Sequence, residues 1–185
     1  NEEDALLPTG LRDILPDDAA LEAETVEQIV TLFGQNGYSR VKAPLIEFED
    51  GLLSGAGIAL APDTFRLMDP VSQRMMGVRA DITPQIARIA RTRLTNSTRP
   101  LRLSYSGEGL RVRGTQLRPE RQVLQGGAEL IGSGSTAADV EIIFLAADSI
   151  SSVGSDDFSV DLTVPRLVPS IIEEFEFSED VSLAL

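Results

Sequence analysis

The chain has no cysteine and no histidine, and Lys42 is the one lysine among its 185 residues. The first absence excludes disulfides and thiolate chemistry. Both together leave a structural zinc site without its usual ligands. Neither a Ser-His nor a Cys-His arrangement can form, so most hydrolase mechanisms fall away. Acid–base work would have to use carboxylates, Lys42 or tyrosine. No apolar run is long enough to span a bilayer and no signal-peptide pattern opens the chain, so a cytoplasmic location without membrane contact is expected. No internal repeat or low-complexity tract is present.

What remains is an ordinary globular composition, 42% hydrophobic and 24% charged, of a size to bury one core and a second small lobe. The charge is uneven. The net charge is −13, yet residues 79 to 121 hold ten arginines against Asp81, Glu108 and Glu120, a local surplus of +7 that leaves the remainder at −20. An acidic body around one cationic segment disfavours extended contact with nucleic acid, which needs a broad basic face. It suits a small anionic group held in a cleft.

That segment includes Arg102 to Gly132, which reads as two strands joined by an arginine-rich loop. Alternation in Leu101-Arg102-Leu103-Ser104-Tyr105 and Val123-Leu124-Gln125 predicts the strands, and Gly114-Thr115-Gln116 supplies a turn. Arg111, Arg113, Arg118 and Arg121 are then crowded at one end of the sheet, where each guanidinium can make paired hydrogen bonds to a carboxylate or phosphate. The competing reading is a solvated charged turn.

Elsewhere, a helix is predicted from Asp17 to about Gln35, its buried stripe being Val26, Ile29, Val30 and Phe33. Tyr38 to Ala43 reads as a strand ended by Pro44. Residues 51 to 63 should form a loop or loose helical turn, and Thr64–Met68 with Arg74–Val78 a hairpin around Asp69-Pro70. Thr83-Pro84 opens a helix with Thr83 as its cap and Ile86, Ile89 and Ala90 inward. Ser135 to about Ser151 is another helix, with Thr136 a candidate cap and Ile142, Ile143, Leu145 and Ala146 as core. Phe158 to Val164 alternates like a strand, Arg166 to Phe175 suggests a short helix, and Glu173 to Leu185 has no clear partner.

Several stretches, taken in order, resemble one family. Leu7-Pro8-Thr9-Gly10-Leu11-Arg12-Asp13-Ile14-Leu15-Pro16 resembles the opening signature of histidyl-tRNA synthetases and their paralogues. Gly37-Tyr38 through Pro44-Leu45-Ile46-Glu47 is similar to class II synthetase motif 1, which in that family forms the dimer interface. Arg79-Ala80-Asp81-Ile82-Thr83 is similar to the substrate loop, and the arginine-rich hairpin to motif 2. The resemblance implies an α/β (α+β) fold: a class II aminoacyl-tRNA synthetase-like antiparallel sheet flanked by helices. Residues 1–185 would form a partial core domain, with motif 1 at about 25–47 and motif 2 at about 102–132. No arginine-bearing third motif follows residue 165, so the fold is expected to be incomplete at the C-terminus.

Departures from the aminoacylating enzyme are concentrated in these motifs. Its Glu-Gly-Thr is here Asp81-Ile82-Thr83, and a β-branched residue in place of glycine disfavours positive φ and close ligand approach. An acidic position of motif 2 is occupied by Arg113, and the usual Phe-His-Gln is Val123-Leu124-Gln125. The resemblance therefore favours the non-catalytic paralogue, the regulatory subunit of short-form ATP phosphoribosyltransferase. It implies no cofactor or metal, a homodimer through motif 1, assembly with the catalytic subunit, and feedback inhibition by free histidine. By resemblance Asp81 and Glu129 would accept from the ligand's ammonium or imidazole N–H, Thr83 and Gln125 would orient it, and Arg111 would pair with its carboxylate. Glu129 could instead be a structural carboxylate, while Arg118 and Arg121 are expected to face a partner subunit or solvent. A fragment of an aminoacylating synthetase and a bare dimerisation module remain the alternatives.

Overall fold

A computed structural model describes residues 7–163, 170–172 and 174. The chain forms two compact units, residues 1–155 and 156–185.

In the first unit, the hydrophobic alternation that predicts the central hairpin produces strands β5 (Leu101–Leu110) and β6 (Gln122–Ile131). They pair antiparallel in an unbroken register from Leu101↔Ile131 to Leu110↔Gln122. A short strand β1 (Ser39–Arg40) lies parallel to β5, giving the order β1-β5-β6. The strand expected over 38–43 is thus cut to its middle: Val41 adds one more amide bond, to Ser104 O, before the chain turns away toward Pro44. A second sheet, in the order β2-β4-β3, is antiparallel throughout and is built from β2 (Ile46–Phe48), β3 (Arg66–Met68) and β4 (Met75–Val78). Its tip is organised by Asp69, whose carboxylate accepts from the Val71 and Ser72 amides and the Ser72 hydroxyl. Those bonds hold the Asp69 carboxyl below the usual carboxylate range. Between β2 and β3 come a short helix α2 (Glu49–Leu52) and a 3₁₀ segment, Gly55–Asp63.

Three longer helices cover the first sheet. Helix α1 (Pro16–Gln35) starts with proline at its first position and Asp17 and Asp18 in the first turn, where the helix dipole favours acid. Its inner stripe buries Val30 and Phe33. Helix α4 (Thr136–Ser152) buries Leu145 beside Phe33 and Tyr38, against Ala128 and Leu130 of β6. Ala146, expected in that core, is exposed, as is Phe144. Helix α3 (Thr83–Thr92) lies on the opposite face and packs Ile86 and Ala90 against Leu101, Leu103 and Tyr105. Burying a side chain the size of Ile86, which has no solvent exposure, contributes about 1.5–3 kcal/mol. Neither Thr83 nor Thr136 caps its helix: each is the first helical residue, and no side-chain cap bond forms at either N-terminus.

In the second unit, residues 156–163 have no regular structure, so the alternation of Phe158 to Leu162 does not make a strand; Val164 lies outside the described residues. Residues 170–172 and 174 are helical, in accord with a short helix there, and the rest of 166–185 is outside the described residues. No described helix is long and apolar enough to cross a membrane.

Candidate functional site

Strand alternation divides the β5–β6 hairpin into two faces. Tyr105, Gln125 and Glu129 share the α3 face, because the register places Leu103 opposite Glu129, Tyr105 opposite Gly127 and Gly107 opposite Gln125. The loop 79–82 then runs across this face into α3. Gly107 makes that approach possible, since a Cβ there would collide with the Arg79 guanidinium. The loop is pinned by the Leu110 amide to Arg79 O (2.9 Å) and by the Ile82 amide to Gln125 Oε1 (3.1 Å).

This arrangement gathers Asp81, Thr83, Gln125 and Glu129. Asp81 Oδ1 accepts from the Thr83 amide at 2.8 Å, an Asx-type anchor for the start of α3 that leaves its second oxygen available. The Thr83 hydroxyl, not needed as a cap, sits 2.9 Å from the Tyr105 hydroxyl, which reaches Glu129 Oε1 at 3.4 Å. Gln125 spends its carbonyl on Ile82, so its amide group is the end left for a ligand.

The electrostatics are unbalanced. Burial pushes the Glu129 carboxyl up; hydrogen bonds from Thr83 and Tyr105 offset part of this, and the nearby Asp81 charge reinforces it. Burial and the same two carboxylates raise the Tyr105 phenol, against the Thr83 bond. Among the described residues no lysine or arginine forms an ion pair with Asp81 or Glu129. Two carboxylates share a partly buried patch with hydroxyl and amide groups, a setting that favours a cationic nitrogen.

Arg111 stands apart from that cluster. It follows β5 at the parity of Tyr105, bridging Thr64, with its amide bonded to Arg121 O at 2.7 Å. Among the described residues its guanidinium forms no ion pair. Arg113 and Arg118 are exposed in the loop. Arg121 corrects the expectation of a solvent- or partner-facing side chain. Its guanidinium donates to Arg111 O and Thr9 O, both at 3.2 Å, and lies 5.0 Å from the Phe65 ring centre. Gly10, at φ 82°, fits beneath, because a Cβ would stand 2.6 Å from Pro119 O. The opening signature and the arginine-rich loop are therefore clamped together.

Tyr105 belongs to the site and was not singled out from the sequence. Neither was Gln85, which lies behind the loop and bonds to Arg79, Pro44 O and Glu47. Arg79 figures there only as the first residue of the substrate loop. For Tyr105 the signal was its parity with Glu129 across the hairpin; for Gln85 it was an amide on the apolar side of α3, four residues before Ile89. Among the described residues no cluster of acidic side chains could hold a metal ion.

Comparison with known proteins adds to this geometry. A family model described as histidyl-tRNA synthetase matches residues 10–185. The ATP phosphoribosyltransferase regulatory subunit of Rhodospirillum centenum is 60% identical over 95% of this chain and 45% of its own length. That of Rhodospirillum rubrum is 57% identical over 96% of the chain and 46% of its length. The chain thus spans about half the length of these curated relatives. A Bacillus halodurans structure described as an ATP phosphoribosyltransferase regulatory subunit/histidyl-tRNA synthetase superposes with a TM-score of 0.77 at 27% identity, covering 91% of this chain and 43% of that one.

Proposed function

The chain belongs to the histidyl-tRNA synthetase family, and we propose that it serves as the regulatory subunit of an ATP phosphoribosyltransferase, holding free histidine without catalysing a reaction itself. The mixed α/β, class II synthetase-like architecture is common to both branches of the family. What favours the regulatory branch is the likeness to relatives of that name at 57–60% identity. The substrate loop agrees: Ile82 takes an ordinary φ of −89° and is 1% exposed, packed with Ile86 and Tyr105, so the loop is built around a bulky residue where the synthetases have glycine.

The ligand assignment rests on one observation, the gathering of Asp81 and Glu129 on a single face of the hairpin with no cation among the described residues paired to either. The ammonium or imidazole N–H of histidine would supply the missing partner. Thr83, Tyr105 and the Gln125 amide would orient it, and the Arg111 guanidinium would take the carboxylate. Self-association would use the motif 1 surface, where Leu45, Ile46 and Phe48 are exposed. The catalytic work belongs to a separate phosphoribosyltransferase subunit.

The deciding experiment adds the protein to a short-form catalytic subunit, follows phosphoribosyl transfer and titrates histidine. Faster turnover that histidine suppresses is the expected result. ATP-dependent formation of histidyl-adenylate by the protein alone would overturn the reading in favour of an aminoacylating enzyme. Indifference of the catalytic subunit, together with no heat on adding histidine, would leave a bare dimerisation module.

A further inference from the structure

Between the candidate ligand site and the segment that leads into β2 runs a set of buried and partly buried polar contacts. The successive carbonyls of Ala43, Pro44 and Leu45 are all held by residues 79 to 85. Arg79 Nη1 donates to Ala43 O at 3.0 Å, Gln85 Nε2 to Pro44 O at 2.8 Å, and the Arg79 amide to Leu45 O at 3.0 Å. Gln85 Nε2 also donates to Glu47 Oε1 at 2.8 Å, and Glu47 is paired with Arg88. The other end of the Gln85 amide faces Arg79 Nη1 at 3.5 Å, while Arg79 Nε is fixed to Glu108 O at 2.7 Å. Gln85 is 1% exposed and Arg79 7%.

The same stretch carries the ligand-facing groups on its other side. Asp81 holds the Thr83 amide, Ile82 is tied to Gln125, and Gln85 lies two residues beyond Thr83 in the first turn of α3. A displacement of Asp81 or Thr83 cannot be absorbed locally without stripping Gln85 or Arg79 from the 43–45 carbonyls. Arg79 and Gln85 are themselves buried, so leaving their polar groups unpaired is costly and favours the two segments shifting together.

We propose that Gln85 is a positioning residue that couples occupancy of the ligand site to the 43–47 segment, and through it to association with a second copy of this chain. The surface concerned is a cleft of ≈ 720 Å³ whose lining includes Pro44, Ile46, Glu47, Phe48, Met76 and Arg88. Glu47 belongs both to this lining and to the Gln85 contacts, and its partner Arg88 lines the cleft beside it, which gives the coupling a physical route. The inference rests on the ligand and self-association readings above. Linkage makes the effect reciprocal: if histidine changes the association constant, association changes histidine affinity by the same factor.

The test measures the self-association constant by sedimentation velocity with and without saturating histidine, and histidine affinity by calorimetry. It compares the wild type with Gln85→Met and Glu47→Gln. In the wild type histidine should shift association by at least about fivefold. Gln85→Met should still bind histidine within about threefold of wild type while the shift falls below about twofold. Glu47→Gln keeps shape and amide contact but weakens the tie to Arg88, and should reduce the shift in part; it carries the decision if Gln85→Met does not fold. A full shift in a folded variant overturns the proposal. Histidine binding in the wild type with no change in association overturns the coupling and leaves the ligand reading standing, whereas no histidine binding removes both.

Discussion

Each face of the β5–β6 hairpin is met by a tyrosine beside a glutamate, and the two pairs are in opposite electrostatic states. On the α1/α4 face, Glu141 receives a two-pronged contact from Arg102 at 2.6 and 2.7 Å and a further bond from the Tyr38 hydroxyl at 2.8 Å. Arg102 and Tyr38 hold its carboxyl down at about 2, while burial and the Glu141 bond push the Tyr38 phenol up to about 12. On the α3 face, Glu129 has hydroxyl neighbours and a second carboxylate but no paired cation among the described residues, and its carboxyl is raised. A carboxylate saturated by the protein's own cation is a strut between β5 and α4. One left unsaturated at some cost to the fold has capacity for a cation from outside.

The largest break in that comparison should come from Glu129→Gln. Removing the charge should weaken histidine binding on the order of 100-fold, the scale of a lost charge-assisted contact of about 1.5–3 kcal/mol, as read by calorimetry. Stability at pH 7 should hold or rise, because the substitution removes a partly buried charge with no counter-ion among the described residues. A raised carboxyl favours the protonated fold: its contribution is full below the ordinary 4.5 and is lost as pH rises through the elevated value. The advantage of Glu129→Gln in urea unfolding should therefore be present at neutral pH and fade toward pH 4.5. Equal histidine affinity in the two proteins would remove Glu129 from the site.

Arg111→Ala should come next, weakening histidine binding on the order of tenfold and moving the histidine inhibition curve of the assembly with the catalytic subunit by about the same factor. Sedimentation should show dimerisation intact, since Arg111 lies at the end of β5, outside the lining of the motif 1 cleft. Unchanged inhibition curves would sever the arginine loop from the ligand site.

How far the sequence announced all this depends on the kind of signal. The long elements were legible, because helices α1, α3 and α4 and the central hairpin carry apolar periods that packing reinforces. Phe158 to Leu162 carries a similar two-residue period and forms no strand, since alternation describes a strand only where another strand is there to pair with it. Asp81, Thr83, Gln125 and Glu129 lie together on the α3 face, whereas the expected caps are not caps. Thr83 and Thr136 each stand one position inside their helices, and Thr83 spends its hydroxyl on Tyr105. Arg121 was illegible for a plain reason. Its hydrogen-bond acceptors are the carbonyls of Thr9 and Arg111, and every residue type offers a carbonyl, so the sequence holds no mark of the contact.

On the α1/α4 face the comparison predicts an acid-labile strut. The Glu141 pairing is fully present above the ordinary 4.5 and is lost as pH falls from there toward about 2. Wild type should lose stability across that window more steeply than Glu141→Gln, with the two curves converging near pH 2. At pH 7 the substitution should lower the melting temperature by no more than about 4 °C, because both side chains of the contact are about a third exposed to solvent. Histidine binding should not change. A variant that lost the ligand as well would mean that the two faces are not independent.

The smallest effects come from the paired tyrosines, and they sharpen the contrast most. Tyr38→Phe removes one donor from a carboxylate that Arg102 still holds from both sides, so the loss should be about 1 kcal/mol or less in urea unfolding. Tyr105→Phe removes the link between Thr83 and Glu129, whose hydroxyl contacts are long or shared, and should be of similar size for stability. The two should part company in ligand binding. Only Tyr105→Phe takes a hydrogen-bonding group away from Glu129, which raises that carboxyl further and should shift the pH dependence of histidine binding upward. Parallel pH profiles for the two phenylalanine variants would mean that both tyrosine–glutamate pairs serve the fold alone.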